Sequence, residues 1–365
     1  MKNILLAGLT AFIALSCAGD NTPKTLKQAF QDKFLIGVAV NDRQAGGIDS
    51  VGAALIAEQF SSIVNEDCLK SENVHPQEGT YVFDAPDAYV DFGVRNHQFV
   101  VGHTLIWHSQ LAPWFCVDEA GNDVTPEVLK ARMKDHISTL VGRYKGKING
   151  WDVVNEAINE DGTWRDTPFY RILGEEYIPL AFQYAHEADP DAELYYNEYN
   201  LFVPAKCEKA IELVKMLRER GLRIDAVGNQ GHMGMEYPDI NALEKSIERL
   251  SEAGVKVMIT ETEMSALPSP FGGAEISDRA AYEERMNPYP DGLPEEVAEA
   301  WNERVKSFME LYLRHADVIT RVTFWGLSDG DSWRNDWPIP GRTDYPLLYD
   351  RNHAPKPVTQ WMMNL

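Results

Sequence analysis

The sequence predicts a single (β/α)8 barrel, and three observations carry the prediction. Eight apolar, β-rich runs recur at spacings suited to βα units, at residues 34–40, 60–67, 99–107, 148–156, 193–200, 226–232, 255–263 and 322–328. Amphipathic helical stretches lie between them, among them 126–144, 168–187, 205–220, 241–253 and 294–315. Polar and aromatic residues collect at the C-terminal ends of the runs, the face on which this fold carries its chemistry. Strand–helix alternation repeated eight times is what a closed parallel barrel needs. One such barrel with insertions accounts for 365 residues, and no repeat or Pro/Gly/Ser-rich linker divides the chain.

In chain order, the first residues stand apart from the barrel. Met1-Lys2-Asn3 and the apolar run 4–15 have the layout of a secretory signal, too short to span a membrane. The run ends in Ala14-Leu15-Ser16-Cys17, which resembles a bacterial lipoprotein signal with Cys17 as the lipidated residue, although Leu is usual where Ala14 stands. An ordinary signal cut near Cys17-Ala18-Gly19 is the alternative; in either case the protein is expected to leave the cytoplasm, anchored in the periplasm or at the cell surface, or secreted. The expected organisation is a signal segment 1–17, a polar leader 18–29 and the barrel, 30–365.

Within the barrel, Glu66-Asp67 ends the second run, His103 and Trp107-His108 the third, and Asn155-Glu156 the fourth. Asn197, Tyr199 and Asn200 close the fifth run, Gln230 and His232 the sixth, Glu261 and Glu263 the seventh, and Trp325 the eighth. Gly221 and Gly254 stand where helices should stop. Two stretches exceed a minimal barrel on the same side: 265–293, with Phe271, Tyr282 and Tyr289, and 328–349, with Trp333, Arg334 and Trp337. Long loops on this face usually shape the binding cleft.

Composition narrows the partners. The net charge of −22, from 56 acidic against 34 basic residues, argues against nucleic acid and anionic membrane surfaces, which need clustered Lys and Arg. It fits a neutral substrate. Cys68, Cys116 and Cys207 have no metal-type spacing and read as buried thiols.

The chain is organised around Trp151-Asp152-Val153-Val154-Asn155-Glu156. Strand alternation places Trp151, Val153 and Asn155 on one face and Asp152, Val154 and Glu156 on the other. A carboxylate ending an apolar strand costs free energy unless it is partnered, so Glu156 reads as a site group once the other strand ends are polar too. Trp151 reads as core, His108 and Asp152 as structural partners, Glu160-Asp161 as a solvated turn, and Trp361 as packing against the barrel.

Paired strand-end glutamates on the fourth and seventh strands suggest the chemistry of a retaining glycosidase. One carboxylic acid protonates the leaving oxygen and the other attacks the anomeric carbon, about 5–5.5 Å away. The acid must keep its proton and the nucleophile must stay ionised. Trp107, Trp325 and Trp333 offer apolar faces for sugar rings, and the amides, His and Lys offer directional hydrogen bonds. The competing use of His103, Glu156, His232 and Glu261 is metal ligation, but no HExxH pattern occurs and Trp and amides accompany each candidate.

Five segments in order make the reading specific: Gly102-His103-Thr104-Leu105-Ile106-Trp107-His108-Ser109-Gln110, Trp151 to Glu156, Gln230-Gly231-His232, Ile259-Thr260-Glu261 and Thr323-Phe324-Trp325-Gly326. From about Phe30 to the C-terminus the chain resembles glycoside hydrolase family 10, the retaining endo-β-1,4-xylanases. The resemblance implies Glu156 as acid/base and Glu261 as nucleophile. It implies that Asn155 bonds the 2-hydroxyl of the reacting sugar, that His232 orients Glu261, and that Gln230, His103 and Trp107 line that sugar's subsite. Glu66, Asp67, Lys70 and Gln110 would hold the non-reducing side, Trp325 and Trp333 would form aromatic walls, and Tyr199 would be a platform for the leaving group. Xylan and xylo-oligosaccharides are the implied partners, with a monomeric chain and neither metal nor organic cofactor. The alternatives are a related barrel on another β-1,4-glucan, and a non-catalytic glycan-binding surface lipoprotein.

Three positions depart from the family pattern. Asp67 stands where Asn is common, Glu198 where Asp is, and Thr260-Glu261-Thr262-Glu263 replaces Thr-Glu-Leu-Asp. Ionised Asp67 can only accept hydrogen bonds, so altered affinity on the glycone side is expected. Glu261 and Glu263 face the same way on a strand, so spacing alone does not choose the nucleophile.

Overall fold

The computed structural model describes residues 24–269, 280 and 283–365. Among these residues nine strands form: β1 (Leu35–Val40), β2 (Ser62–Asn65), β3 (Phe99–Ile106), β4 (Gly150–Asn155), β5 (Glu193–Glu198), β6 (Ala226–Asn229), β7 (His232–Gly234), β8 (Lys256–Ser265) and β9 (Ile319–Phe324). All pairings are parallel. The order β6-β5-β4-β3-β2-β1-β9-β8, closed by β6 pairing with β8, is an eight-stranded barrel; β7 adds to the upper part of β8 only. The expected (β/α)8 architecture is therefore present.

The helices between the strands start where local chemistry tells them to. Helix Pro126–Arg143 has Pro at its first position and Thr125 accepting from the Val128 amide at 3.4 Å. Helix Ile240–Glu252 begins where Asp239 accepts from the amides of Asn241 and Ala242, both at 3.0 Å. Their apolar faces and the outward strand residues make the main core, with Trp151 and Val153 in it. A second cluster, Ala39, Val64, Val101, Tyr195, Ala226 and Met258, fills the barrel interior beneath Trp325. The interior is thus a plugged floor, and the site lies above it.

Two predicted elements divide. The run 226–232 breaks after Asn229 because Gly231 turns the chain at φ +81°, a region that favours glycine, and His232 restarts as β7. The helix expected over 168–187 is two helices, Pro168–Leu173 and Tyr177–Ala188, separated at Gly174 (φ +60°) by a 3-10 turn. The last barrel strand starts three residues before the predicted 322 and ends at Phe324, so Trp325 lies just past it. Cys17, the polar leader up to Pro23, Phe271 and Tyr282 lie outside the described residues.

Candidate active site

The C-terminal strand ends surround a cavity of about 190 Å³ lined by Glu66, Asp67, Lys70, His103, Trp107, Gln110, Asn155, Glu156, His232, Glu261, Trp325 and Trp333. Twelve of the fourteen residues singled out in the sequence are in that lining. The two others, Gln230 and Tyr199, stand behind it.

The face assignment along β4 needs correction. Strict alternation separates Asn155 from Glu156, yet both line the cavity. The β4–β5 register shifts between Asp152 and Val154, and Glu156 sits at φ +57°, so the chain turns its last two side chains to the same side. A positive φ at a glutamate is uncommon.

Each Glu156 oxygen has one donor: Trp107 Nε1 on Oε2 and Gln230 Nε2 on Oε1, both at 2.9 Å. Gln230 therefore acts on the carboxyl from behind. Asn155 Oδ1 accepts from Asn197 Nδ2 at 3.0 Å and Gln230 Nε2 at 3.3 Å, which fixes the amide and leaves its own N–H groups for a ligand.

Glu261 accepts from Asn197 Nδ2 at 2.7 Å on Oε1 and meets His232 Nε2 at 3.2 Å on Oε2. His232 Nδ1 meets Glu263 Oε1 at 2.8 Å. Burial alone would lower the pKa of His232, but its bonds to the two carboxylates raise it to about 9. In return, burial pushes Glu261 up, and the His232 bond, neighbouring His103 and Asn197 overcome this and hold it below the ordinary range.

Glu261 and Glu263 share a face as predicted, yet the structure separates their roles. Glu263 is fully buried, outside the cavity lining, and its Oε1 also accepts from Trp333 Nε1 (2.8 Å) and Arg334 Nε (2.6 Å). Burial pushes Glu263 up, while Arg334 and His232 hold it low. Glu263 lies buried outside the cavity lining, away from a bound sugar; Glu261 is the carboxylate open to the cavity.

On the far side, Asp67 accepts from Lys70 Nζ (2.9 Å) and Gln110 Nε2 (3.2 Å), and Lys70 also donates to Gln110 Oε1 (2.6 Å). Burial pushes Asp67 up, but Lys70 and Gln110 hold it low, so it is an acceptor. Glu66 next to it is pushed up to about 8, first by burial and then by the Asp67 charge.

Other residues serve the site without having been named for it. Asn65 exchanges two bonds with the His103 backbone, and Asp152, read from the sequence as structural without a named partner, has its Oδ2 2.9 Å from His103 Nδ1. Glu198 is buried and accepts from Tyr196 OH (2.6 Å), Ile158 N (3.1 Å) and Tyr199 N (3.1 Å), and it pairs with the buried Lys206 (3.0 Å). The longer side chain at this departure thus ties the segment after Glu156 to the end of β5. Lys206 reaches on to Glu160 at 3.0 Å, so that residue is exposed yet tied in, more than a solvated turn. A sequence signal existed for Lys206: it falls on the buried stripe of its helix with Ala210, Leu213, Val214 and Leu217. Tyr199 is buried, its ring 3.6 Å from Lys206 Nζ and its hydroxyl bonded by Arg165 Nη2 at 2.5 Å.

Comparison with known proteins agrees with this geometry. The sequence profile described as glycosyl hydrolase family 10 matches residues 25–365. The chain is 45% identical over 355 residues to endo-1,4-beta-xylanase A of Xylanibacter ruminicola, covering 97% of this chain and 96% of that protein. It is 39% identical to beta-1,4-xylanase of Dictyoglomus thermophilum, covering 97% and 94%. A solved GH10 endoxylanase from a sugarcane soil metagenome superposes with a TM-score of 0.90 at 42% identity, over 93% of this chain and 99% of that one. By sequence and by fold, this chain belongs to glycoside hydrolase family 10.

Proposed function

We propose that the protein is an endo-β-1,4-xylanase that cleaves internal xylosidic bonds with retention of configuration. The observation that carries the reading is a pair of fixed glutamates in one cavity: Glu261 held ionised by His232 and Asn197, and Glu156 oriented at both oxygens by Trp107 and Gln230. Glu156 gives its proton to the leaving oxygen while Glu261 Oε attacks the anomeric carbon, forming a covalent glycosyl–enzyme. Glu156, now a base, takes a proton from water, which attacks the same carbon and releases Glu261. The fixed Asn155 amide donates to the 2-hydroxyl of the reacting sugar, a contact that strengthens in the transition state. His103 and Trp107 flank that sugar, Trp325 and Trp333 wall it, and Glu66, Asp67, Lys70 and Gln110 hold the chain on its non-reducing side. Tyr199 acts through Arg165 and Lys206 on the leaving-group side.

We take the working unit to be a monomer, because all the named site residues come from one chain. Among the described residues no helix is long and apolar enough to cross a membrane. Membrane attachment is assigned to lipid on Cys17, and Cys17→Ala is expected to release the protein from the membrane fraction. The activity is tested by following sugar release from xylan, cellulose and mannan by the purified mature protein, with Glu156→Gln as control. Xylo-oligosaccharides from xylan alone, lost in the variant, are expected. Release only from another polymer would discard the specificity, and no release from any would discard the catalytic reading.

A further inference from the structure

Strand β5 carries Asn197 on the cavity side, where it bonds Asn155 and Glu261, and two other side chains on the opposite face. With a period of two, Tyr196 and Glu198 share that outer face. Both are fully buried and neither lines the cavity. What they touch is the backbone that follows Glu156.

The parallel ladder between β4 and β5 continues as far as the Glu156 amide, which donates to the Asn197 carbonyl at 2.9 Å. The next two amides turn to side chains instead. Ala157 N donates to the Tyr196 hydroxyl and Ile158 N to Glu198 Oε2, both at 3.1 Å. The Tyr196 hydroxyl donates in turn to the same Glu198 oxygen at 2.6 Å, so one phenol both accepts and donates. Glu198 Oε1 is held by the Tyr199 amide at 3.1 Å and by Lys206 Nζ at 3.0 Å. Both oxygens of Glu198 are therefore occupied, and the carboxylate is fixed against the turn.

That turn has a conformation to maintain. Glu156 stands at φ +57°, a region a glutamate rarely enters and keeps only where its surroundings hold it. Two consecutive amides pinned from behind supply that hold. We infer that Tyr196 and Glu198 are positioning residues for the acid/base: through Ala157 and Ile158 they maintain the backbone turn that aims the Glu156 carboxyl into the cavity. The inference rests on the xylanase reading and deepens it. Trp107 and Gln230 orient the carboxyl at its far end, while Tyr196 and Glu198 fix the backbone from which it projects. Proton transfer to the leaving oxygen depends on placement within hydrogen-bond reach, so a loosened turn weakens the acid. Glu261 is held separately by Asn197 and His232, and its attack does not depend on the turn.

The test uses the mature protein and two aryl β-xylobiosides. One has a phenyl leaving group, which needs a proton; the other has a 2,4-dinitrophenyl group, which departs without one. Tyr196→Phe keeps the ring and removes the hydroxyl. Glu198→Gln keeps the reach, but its amide has one oxygen for donors that now meet two. In both variants kcat/KM for the phenyl xylobioside is expected to fall by roughly ten- to a hundredfold, the cost of displacing a general acid. For the dinitrophenyl xylobioside kcat/KM should stay within about twofold of wild type, which also shows that the variants fold. Equal losses on the two substrates would overturn the inference, because a merely structural role does not distinguish leaving groups. So would unchanged turnover of the phenyl xylobioside in both variants. If one variant does not fold, the other decides. Failure of the xylanase reading is separate, since it would appear in the wild type as no hydrolysis of either xylobioside.

Discussion

Replacing Glu263 by Gln asks most of the structure. The substitution keeps the size of the side chain and removes one charge from a buried group that links His232, Trp333 and Arg334. His232 sits at about 9 against an ordinary 6.5. At about 1.4 kcal/mol per unit this is on the order of 3 kcal/mol of favourable interaction, shared between Glu261 and Glu263. Because the folded value is raised, that stability is fully present below about pH 6.5 and is lost as pH rises through about 9.

With Glu263 neutral, roughly half of this interaction disappears, and the cationic form of His232 falls by about one unit. His232 nevertheless stays cationic throughout the acid range, so Glu261 keeps that partner and loses only a like-charged neighbour, which does not raise its pKa. The acidic limb of kcat/KM, which reports ionisation of the nucleophile in the free enzyme, is therefore expected to stay in place or move down, while the His232 pKa itself, followed by NMR, falls. Arg334, fully buried, loses its carboxylate partner, and stability should fall by about 3–5 kcal/mol in urea titrations. Two results would refute the reasoning: an acidic limb that moves up, or a 2-fluoro-xylobioside that labels Glu263 in the wild type. The first would mean that the Glu263 charge supports ionisation of Glu261, and the second would reverse the assignment of nucleophile.

Three further perturbations are read directly from the site. Glu156→Gln should lose at least roughly a hundredfold in kcat on xylan, the usual reach of general acid catalysis, yet lose less on an aryl xylobioside whose leaving group departs without a proton; equal losses would deny it the acid role. Asp67→Asn removes a carboxylate that Lys70 and Gln110 hold below the ordinary range. Its effect on KM for xylo-oligosaccharides should be present above about pH 4 and fade as pH falls through the low folded value, whereas an effect identical at every pH would exclude charge as the cause. Lys206→Met leaves Glu198 buried without its cation, and calorimetry should register a loss of about 3–5 kcal/mol; a variant as stable as wild type would mean that the pair contributes nothing net.

How much of this was legible in the sequence differs by level. Strand and helix alternation disclosed the barrel because parallel strands covered on both faces must be apolar and helices must show a stripe. Two breaks were missed, at Gly174 and Gly231. In both an apolar pattern runs through a glycine, and only the positive φ shows that the element stops there. Periodicity reports which face is buried; it does not report where the backbone changes hand.

The same limit governs the site. Strand-end positions gave much of the cavity lining, because the C-terminal parts of the barrel strands open on one face. Which glutamate attacks was not decidable from a period of two, because Glu261 and Glu263 point the same way. The distinction lies in who donates to whom, and the donors come from far along the chain: Asn197 for Glu261, Trp333 and Arg334 for Glu263. The same holds for Glu198, a departure with no reading until Lys206 and Ile158 were seen at its oxygens. Sequence spacing fixes where a carboxylate stands on its strand. Its protonation is set by partners that only the closed barrel brings within 3 Å, which is why the pH profile of Glu263→Gln tests the fold and the chemistry together.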